Sequence, residues 1–330
     1  MRFRMSLLVA AAFIGLALPA GAQDKPVLDV YTYDSFAAEW GPGPGIKAGF
    51  EKICDCTVSY TTAEDAISTL RKVQLEGETT KADVVLGLDT ATAPEARATG
   101  LFLPHGTDTS GLVVSWTDPD FVPFDYGYFA FVYDKTKVPN PPKSFEELAA
   151  MPASFRIVIE DPRSSTPGLG LVHWIAAAYG ERAPDIWKSL KPHVVAMPRG
   201  WSEAYGLFLK GEADMVLSYT TSPAYHAVAE NNPNYAFAEF TEGFFPQTEV
   251  AGIVKSTQNL DLARQFLTYL MSVEAQTIIP TTNWMYPVRD IGAALPAAFG
   301  TPPQKVLSLS EETIAAQSKG WVDAALAALQ

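Results

Sequence analysis

The chain has few cysteines and fewer basic than acidic residues. Only Cys54 and Cys56 occur among its 330 residues, which excludes a disulfide-rich scaffold and a zinc site made of four thiolates. A local disulfide between the two stays open, and its ring would be too short to stabilise the fold much. The 24 Lys and Arg against 37 Asp and Glu give a net charge of −13. That charge argues against nucleic acid or an anionic membrane as partner and suits a cationic small ligand better.

No apolar run long enough to span a membrane follows the first 22 residues. Two arginines, Arg2 and Arg4, precede the one apolar run, residues 6–18, and small residues follow it at positions 20–22. This order predicts a cleaved signal peptide over residues 1–22 and export from the cytoplasm, with an uncleaved anchor as the alternative. Removing it would leave 308 residues with a net charge of −15.

Catalytic motifs are also missing. The four histidines have no metal-ligand spacing, and neither His-Glu-x-x-His nor Gly-x-Ser-x-Gly occurs. The pair Gly168 and Gly170 lacks the third glycine of a dinucleotide fingerprint. The sequence therefore predicts a protein that is not an enzyme, with no metal and no cofactor.

Short β-rich runs alternate with amphipathic runs of helix length, which predicts an α/β protein with mainly parallel sheets. Two long extended segments, 121–133 and 244–254, interrupt the alternation. The first is too long for one strand of a compact domain, and we interpret both as crossings between two lobes. The prediction is lobe 1 from 23–126 and 247–330, lobe 2 from 127–246, and a ligand cleft between them with the crossings as hinge.

Aromatic residues gather at the predicted helix starts of two segments, 200–206 and 217–225. Trp201 precedes a helix-capping serine, and Tyr219 ends a predicted strand before Ser222-Pro223. Ligands of open α/β sheets bind beyond the carboxyl ends of strands, where such turns lie. Packing of these rings in the core is the alternative.

The segment 161–170 is a predicted turn from strand to helix that is rich in hydroxyl groups. Its unpaired backbone N–H groups, with Ser165 and Thr166, could bind a phosphate, or could serve only to cap the helix. Four aspartates lie near strand ends or helix starts, where a carboxylate could face a cation, and for Asp65 capping of its own helix is the alternative. These aspartates are Asp34, Asp65, Asp89 and Asp125.

Several blocks in the same order resemble the thiamine-binding periplasmic proteins of bacterial ABC importers, over nearly the whole mature chain. The resemblance implies a two-lobed type II periplasmic binding fold that closes on thiamine, thiamine monophosphate or thiamine diphosphate in the periplasm. It also implies delivery to a membrane permease with its ATPase, with a monomer as the simplest carrier. The blocks are residues 31–36, 40–44, 82–89, 122–128, 161–170, 200–211, 218–225 and 283–287.

The family's ligand contacts, carried over position by position, give the candidate site. Ala66 stands where the family pattern leads us to expect glycine, and a conformation with positive φ would be strained there. Thiamine joins a flat aminopyrimidine to a cationic thiazolium, which aromatic faces and the Asp65 carboxylate would suit. The predicted contacts are Asp65, Ala66, Ser165, Thr166, Trp201, Tyr219, Thr220, Thr221 and Ser222, with Tyr33, Tyr225 and Trp284 as further aromatic walls.

Three rival functions stay open. A polyamine site would also pair acidic residues with aromatic ones. A ferric site would need adjacent tyrosines, and Tyr219 and Tyr225 are not adjacent. A thiamine-cleaving transferase of similar fold would need a cysteine nucleophile in the cleft, whereas Cys54 and Cys56 fall in a predicted surface connection.

Overall fold

The computed structural model describes residues 25–330, so the predicted signal peptide lies outside the described residues. Within this range no helix is long and apolar enough to cross a membrane. The strands are β1 (Val27–Tyr33), β2 (Thr57–Ala63), β3 (Val84–Asp89), β4 (Phe102–Leu103), β5 (Phe121–Asp134), β6 (Ile157–Val158), β7 (Val194–Ala196), β8 (Met215–Tyr219), β9 (Tyr235–Phe237), β10 (Pro246–Val254) and β11 (Tyr286–Pro287).

Helices cover the sheet and fill the C-terminal part of the chain. They are α1 (Asp34–Ala37), α2 (Gly43–Cys54), α3 (Ala66–Glu76), α4 (Ala93–Ala98), α5 (Phe145–Ala149), α6 (Thr166–Tyr179), α7 (Ala183–Leu190), α8 (Trp201–Leu209), α9 (Ser222–Ala229), α10 (Leu260–Leu270), α11 (Val273–Gln276), α12 (Ile279–Thr282) and α13 (Glu311–Leu329), with short 3-10 turns between some of them.

The strands form one mixed sheet in the order β2-β1-β3-β10-β5-β8-β6-β7, with β4, β9 and β11 beside this path. The α/β class and the fold are confirmed, but the expectation of mainly parallel sheets is wrong. β10 runs antiparallel to both β3 and β5, and β5 runs antiparallel to β8, because the chain crosses and returns through the middle of the sheet.

The segment predicted to be too long for one strand is a single strand, β5. Its first part pairs with β10 and β11, and its last part, from Phe129 to Asp134, pairs with β8 and β9. The two parts belong to different halves of the sheet. The strand can exceed the usual length because each half of the sheet pairs with only one part of it.

Two large apolar cores lie on either side of these crossing strands. One contains Phe36, Phe50, Phe124 and Phe266, all fully buried. The other centres on Trp174, whose indole Nε1 donates to the Gly243 carbonyl at 2.9 Å. Each such aromatic side chain contributes about 1.5 to 3 kcal/mol by leaving water.

The C-terminal helix α13 packs against α6 and α7, although the predicted boundaries place residues 247–330 in lobe 1. Its apolar side chains Trp321, Val322 and Ala325 contact the core around Trp174. The lobe boundaries stay a prediction, and this packing argues for assigning α13 to lobe 2.

A disulfide joins Cys54 and Cys56 where α2 turns into β2. Asp55 between them has a φ of 49°, in the left-handed region that ends many helices. The bridge closes this turn, and so short a ring stabilises the fold little.

Candidate ligand-binding site

A cavity of about 490 Å³ lies beside the crossing strands, where several strands end and helices begin. This volume is typical of small-molecule sites. Nine of the twelve predicted contacts line it: Tyr33, Asp65, Ala66, Thr166, Trp201, Tyr219, Ser222, Tyr225 and Trp284.

Trp201 is held by neighbours on two sides at the start of α8. Its indole Nε1 donates to Ser218 Oγ at 2.8 Å, and its ring stacks on Tyr205 with 5.0 Å between centroids. The Tyr205 hydroxyl is hydrogen-bonded to Nε2 of the buried His226 at 2.9 Å. The orientation of the indole is therefore fixed, which lowers the entropy lost when a flat ligand stacks on it.

Trp284 follows α12 with a φ of 56°, which is uncommon for a residue other than glycine. Its ring meets Tyr225 edge to face at 5.3 Å between centroids. Strained backbone of this kind is concentrated at functional sites, where it aims a side chain. Nothing in the sequence indicates this conformation.

Tyr219 ends β8 and connects the cavity wall to the crossing strand β10. Its hydroxyl donates to Gln247 Oε1 at 2.8 Å, and the Gln247 amide donates to Glu249 Oε1 at 3.1 Å. The backbone N–H of Tyr219 donates to Ser222 Oγ at 3.2 Å. These bonds fix the ring at the cavity surface.

Hydrogen-bond donors of four residues surround the Asp65 carboxylate. We call these residues the helix-start cluster: Ala66, Ser165, Thr166 and Trp201. The carboxylate caps α3 through the Ala66 N–H at 2.7 Å and accepts from Ser165 Oγ at 2.9 Å. Burial raises the pKa of Asp65, and the backbone donors oppose that rise.

Three predicted contacts do not line the cavity. Ser165 is fully buried and its hydroxyl donates to Asp65 instead. Thr220 and Thr221 are also buried, and their hydroxyls have no hydrogen-bond partner within residues 25–330. A role for these three in direct ligand contact stays a prediction.

Ala66 is the first residue of α3 and is not among the residues with positive φ. Alanine is a good helix former and fits this position without the strain considered above.

A second set of polar residues lies at the cavity, three of them lining it, and we name it the carboxylate floor: Tyr33, Asp125, Glu249 and Asn283. Asp125 and Glu249 are register partners on β5 and β10, next to a bulge after Glu249. The Tyr33 hydroxyl donates to Glu249 Oε2 at 2.7 Å, and the Asn283 amide donates to Asp125 Oδ2 at 2.6 Å. Glu249, Tyr33 and Asn283 line the cavity.

The carboxylate floor contains two buried acids and no base. Burial raises the pKa of Glu249 well above its ordinary range, and the nearby Asp125 raises it further. Burial likewise raises the pKa of Asp125, against the effect of the Asn283 amide. Among the described residues neither carboxyl takes part in a salt bridge.

Sequence reasoning flagged Asp125 as a strand-end carboxylate but missed Glu249. One signal was available: Glu249 is an acid within the apolar return crossing 244–254. Its pairing with Asp125 could not be inferred, because that depends on the register of two strands far apart in the chain.

The fold and the cavity are those of a solute-binding protein, and comparison with known proteins agrees. Residues 30–277 match the family of bacterial extracellular solute-binding proteins, and the chain belongs to this family.

Several relatives of the chain share a more specific name. The chain is 50% identical over 310 residues to the thiamine-binding periplasmic protein of Salmonella typhimurium, covering 93% of this chain and 94% of the relative. It is 50% identical over 302 residues to the protein of that name from Escherichia coli, covering 90% and 92%. A solved structure named periplasmic thiamin binding protein superposes with a TM-score of 0.90 at 48% identity, covering 95% of this chain and 99% of that one.

Proposed function

We propose that this chain captures thiamine in the periplasm and delivers it to the permease of an ABC importer. The observation that carries the proposal is the cavity itself, which pairs aromatic walls with a buried acid, Glu249, that forms no salt bridge among residues 25–330. The names of the relatives support the same ligand. The resemblance further supports export through a cleaved signal peptide over residues 1–22 and action as a monomer.

The aromatic walls suit both rings of thiamine. Trp201, Tyr219, Tyr225 and Trp284 line the cavity. A cation over such a face gains about 0.5 to 2 kcal/mol, more when water is excluded. We assign stacking of the aminopyrimidine and the thiazolium to these residues.

Glu249 is the carboxylate that suits the thiazolium charge. It lines the cavity and is 7% exposed, and within residues 25–330 its carboxylate accepts only from the Tyr33 hydroxyl and the Gln247 amide. Asp65, the carboxylate first considered for this role, already accepts hydrogen bonds from several donors in the helix-start cluster. A cation beside Glu249 and Asp125 would favour the ionised form of these two buried acids.

Binding would couple to closure of the cleft. The cavity is lined by residues of both predicted lobes, and the crossing strands β5 and β10 connect them. A ligand that touches both sides stabilises the closed arrangement, which the permease would recognise.

Phosphorylated thiamine is a further expected ligand. Thr166 begins α6 and Ser165 precedes it, and a helix start favours phosphate, which would share or take over the donors that Asp65 uses in this structure. We therefore include thiamine monophosphate and diphosphate in the proposal.

A carrier agrees better with the cysteines than a thiamine-cleaving transferase does. Both cysteines of the chain are joined in the disulfide, and neither lines the cavity. A thiol nucleophile would have to come from this pair.

Isothermal titration of the refolded mature protein tests the proposal, because refolding removes a copurified ligand. We expect tight one-to-one binding of thiamine, weaker binding of spermidine, and unchanged thiamine recovered afterwards. Absence of thiamine binding would refute the proposal, and thiamine cleaved at its methylene bridge would show an enzyme.

A further inference from the structure

The Asp65 carboxylate lies at the starts of three helices. It accepts from the first N–H group of α3 (Ala66, 2.7 Å), of α6 (Thr166, 3.2 Å) and, more weakly, of α8 (Trp201, 3.4 Å). The hydroxyls of Ser165 and Thr166 donate to it as well, at 2.9 and 3.3 Å. Five donors thus converge on one carboxylate that is 7% exposed.

These donors come from both predicted lobes. Asp65 and Ala66 belong to lobe 1, whereas Ser165, Thr166 and Trp201 belong to lobe 2 in the predicted division. Two other contacts span the same gap: the Ser68 N–H donates to the Ser164 carbonyl at 3.3 Å, and Arg199 pairs with Glu64 at 3.1 Å. The Arg199 pair is exposed and weak, so the Asp65 bonds are the main side-chain connection among these three contacts.

Three helix starts with added hydroxyls have the chemistry of a phosphate site. Such a site holds an anion through N–H donors and the positive ends of helix dipoles, and a carboxylate satisfies the same donors. Asp65 also lines the cavity, so its carboxylate lies where ligand and helix starts meet.

We infer that the Asp65 carboxylate is an internal anion: it ties the two sides of the cleft together and occupies the donors that a ligand's phosphate group would need. A phosphorylated ligand must displace this carboxylate or lie beside its negative charge. An unphosphorylated ligand leaves it in place. Asp65 therefore sets the balance between the two kinds of ligand. The ligand part of this inference rests on the proposed function, and the connection across the cleft does not.

The ligand part is tested by the ratio of the dissociation constants of thiamine monophosphate and thiamine, measured by titration. In Asp65→Ala we expect this ratio to fall by at least about tenfold relative to the wild type, a change of about 1.4 kcal/mol. Asp65→Asn, which keeps the shape and removes the charge, should shift the ratio in the same direction. It also serves as the second variant if the alanine variant does not fold.

The matched control is Glu64→Gln, which breaks the exposed pair with Arg199 across the same gap and leaves the helix starts untouched. It should keep the wild-type ratio. An unchanged ratio in both folded Asp65 variants would overturn the ligand part, and so would a ratio that moves equally in the Glu64 control.

The connection across the cleft is tested without ligand by small-angle X-ray scattering of the same proteins. Asp65→Ala should give a larger radius of gyration than the wild type, and Glu64→Gln should stay close to the wild type. Identical curves for wild type and Asp65→Ala would overturn this part. Failure of the wild type to bind thiamine would refute the proposed function and leave the scattering result standing.

Discussion

The helix-start cluster and the carboxylate floor each surround or contain buried acids at the same cavity. The two regions compensate the charge of these acids in opposite ways. Asp65 accepts hydrogen bonds from Ser165 Oγ and from N–H groups at helix starts, so its charge is already balanced inside the protein. Glu249 and Asp125 face each other across two strands, with a phenol and amides as donors. A cation therefore belongs at the floor, whose two acids have no countercharge among residues 25–330.

The largest effect should come from Glu249→Gln, which keeps the side chain's size and removes its charge. We expect thiamine binding to weaken by about 2 to 5 kcal/mol, the range for losing one partner of a buried charge pair. Titration calorimetry measures it. Glu160→Gln is the matched control, since Glu160 is fully buried but does not line the cavity. Equal losses of thiamine affinity in both variants would show that the carboxylate floor has no special role in binding.

The aromatic wall is tested by Trp201→Ala, which leaves both acidic regions in place. Binding should weaken by about 1 to 3 kcal/mol, as for other stacked aromatic residues. The melting temperature of the protein without ligand should change little, because Trp201 is only half-buried. A loss of melting temperature that matches the loss of affinity would show that this ring is part of the core.

The pH dependence of binding should come from the floor. The groups that act on Glu249 are Asp125 on β5, Tyr33 on β1, Asp65 before α3 and Asp89 on β3, and no cation is among them. Burial raises the pKa of Asp125 to about 8 and that of Glu249 well above its ordinary value, so the protein without ligand keeps a proton on the pair at neutral pH.

A bound cation favours the ionised pair, so binding releases a proton and affinity rises with pH. The dissociation constant of thiamine should fall between pH 6 and pH 8 by up to about tenfold per pH unit. Glu249→Gln should flatten this profile. A constant affinity over this range in the wild type would contradict the assignment of the cation to the floor.

The smallest expected effect concerns Glu160, an acid outside both the helix-start cluster and the carboxylate floor. It is fully buried, and neither of its carboxyl oxygens has a hydrogen-bond partner within residues 25–330. Burial raises its pKa well above the ordinary value, so between its unfolded pKa and its folded pKa the folded state holds a proton that the unfolded state has released. This group's contribution to stability is present below its unfolded pKa and is lost as the pH rises through its folded pKa.

Glu160→Gln has no ionisable group at this position and therefore avoids this loss of stability at high pH. Its free energy of unfolding at pH 8 should exceed the wild-type value by about 1 kcal/mol, or roughly 2 °C in melting temperature. Thermal unfolding followed by circular dichroism at pH 8 and pH 4 measures the difference, which should shrink at pH 4. A destabilised variant at pH 8 would mean that the carboxylate form is favoured in the folded protein.

Local patterns were enough to predict the α/β alternation, the strand Val27–Tyr33 and the two crossing segments, because each depends on neighbouring residues. The aromatic residues at helix starts were found for the same reason. The packing of α13 on α6 and α7 was missed, since no local signal tells a tail which core it will join.

The chemistry of the site depends on contacts that local patterns do not contain. Glu249 meets Asp125 through strand register, and Asp65 meets Thr166 and Trp201 through the approach of distant helix starts. The positive φ of Trp284 likewise depends on its tertiary surroundings.

The most direct test of the account is a crystal structure of the mature protein with thiamine. We expect the thiazolium ring in contact with Glu249 and stacked on the aromatic wall, with Asp65 still bonded to Thr166 and Ser165. A thiazolium placed against Asp65, with Glu249 touching no part of the ligand, would contradict it.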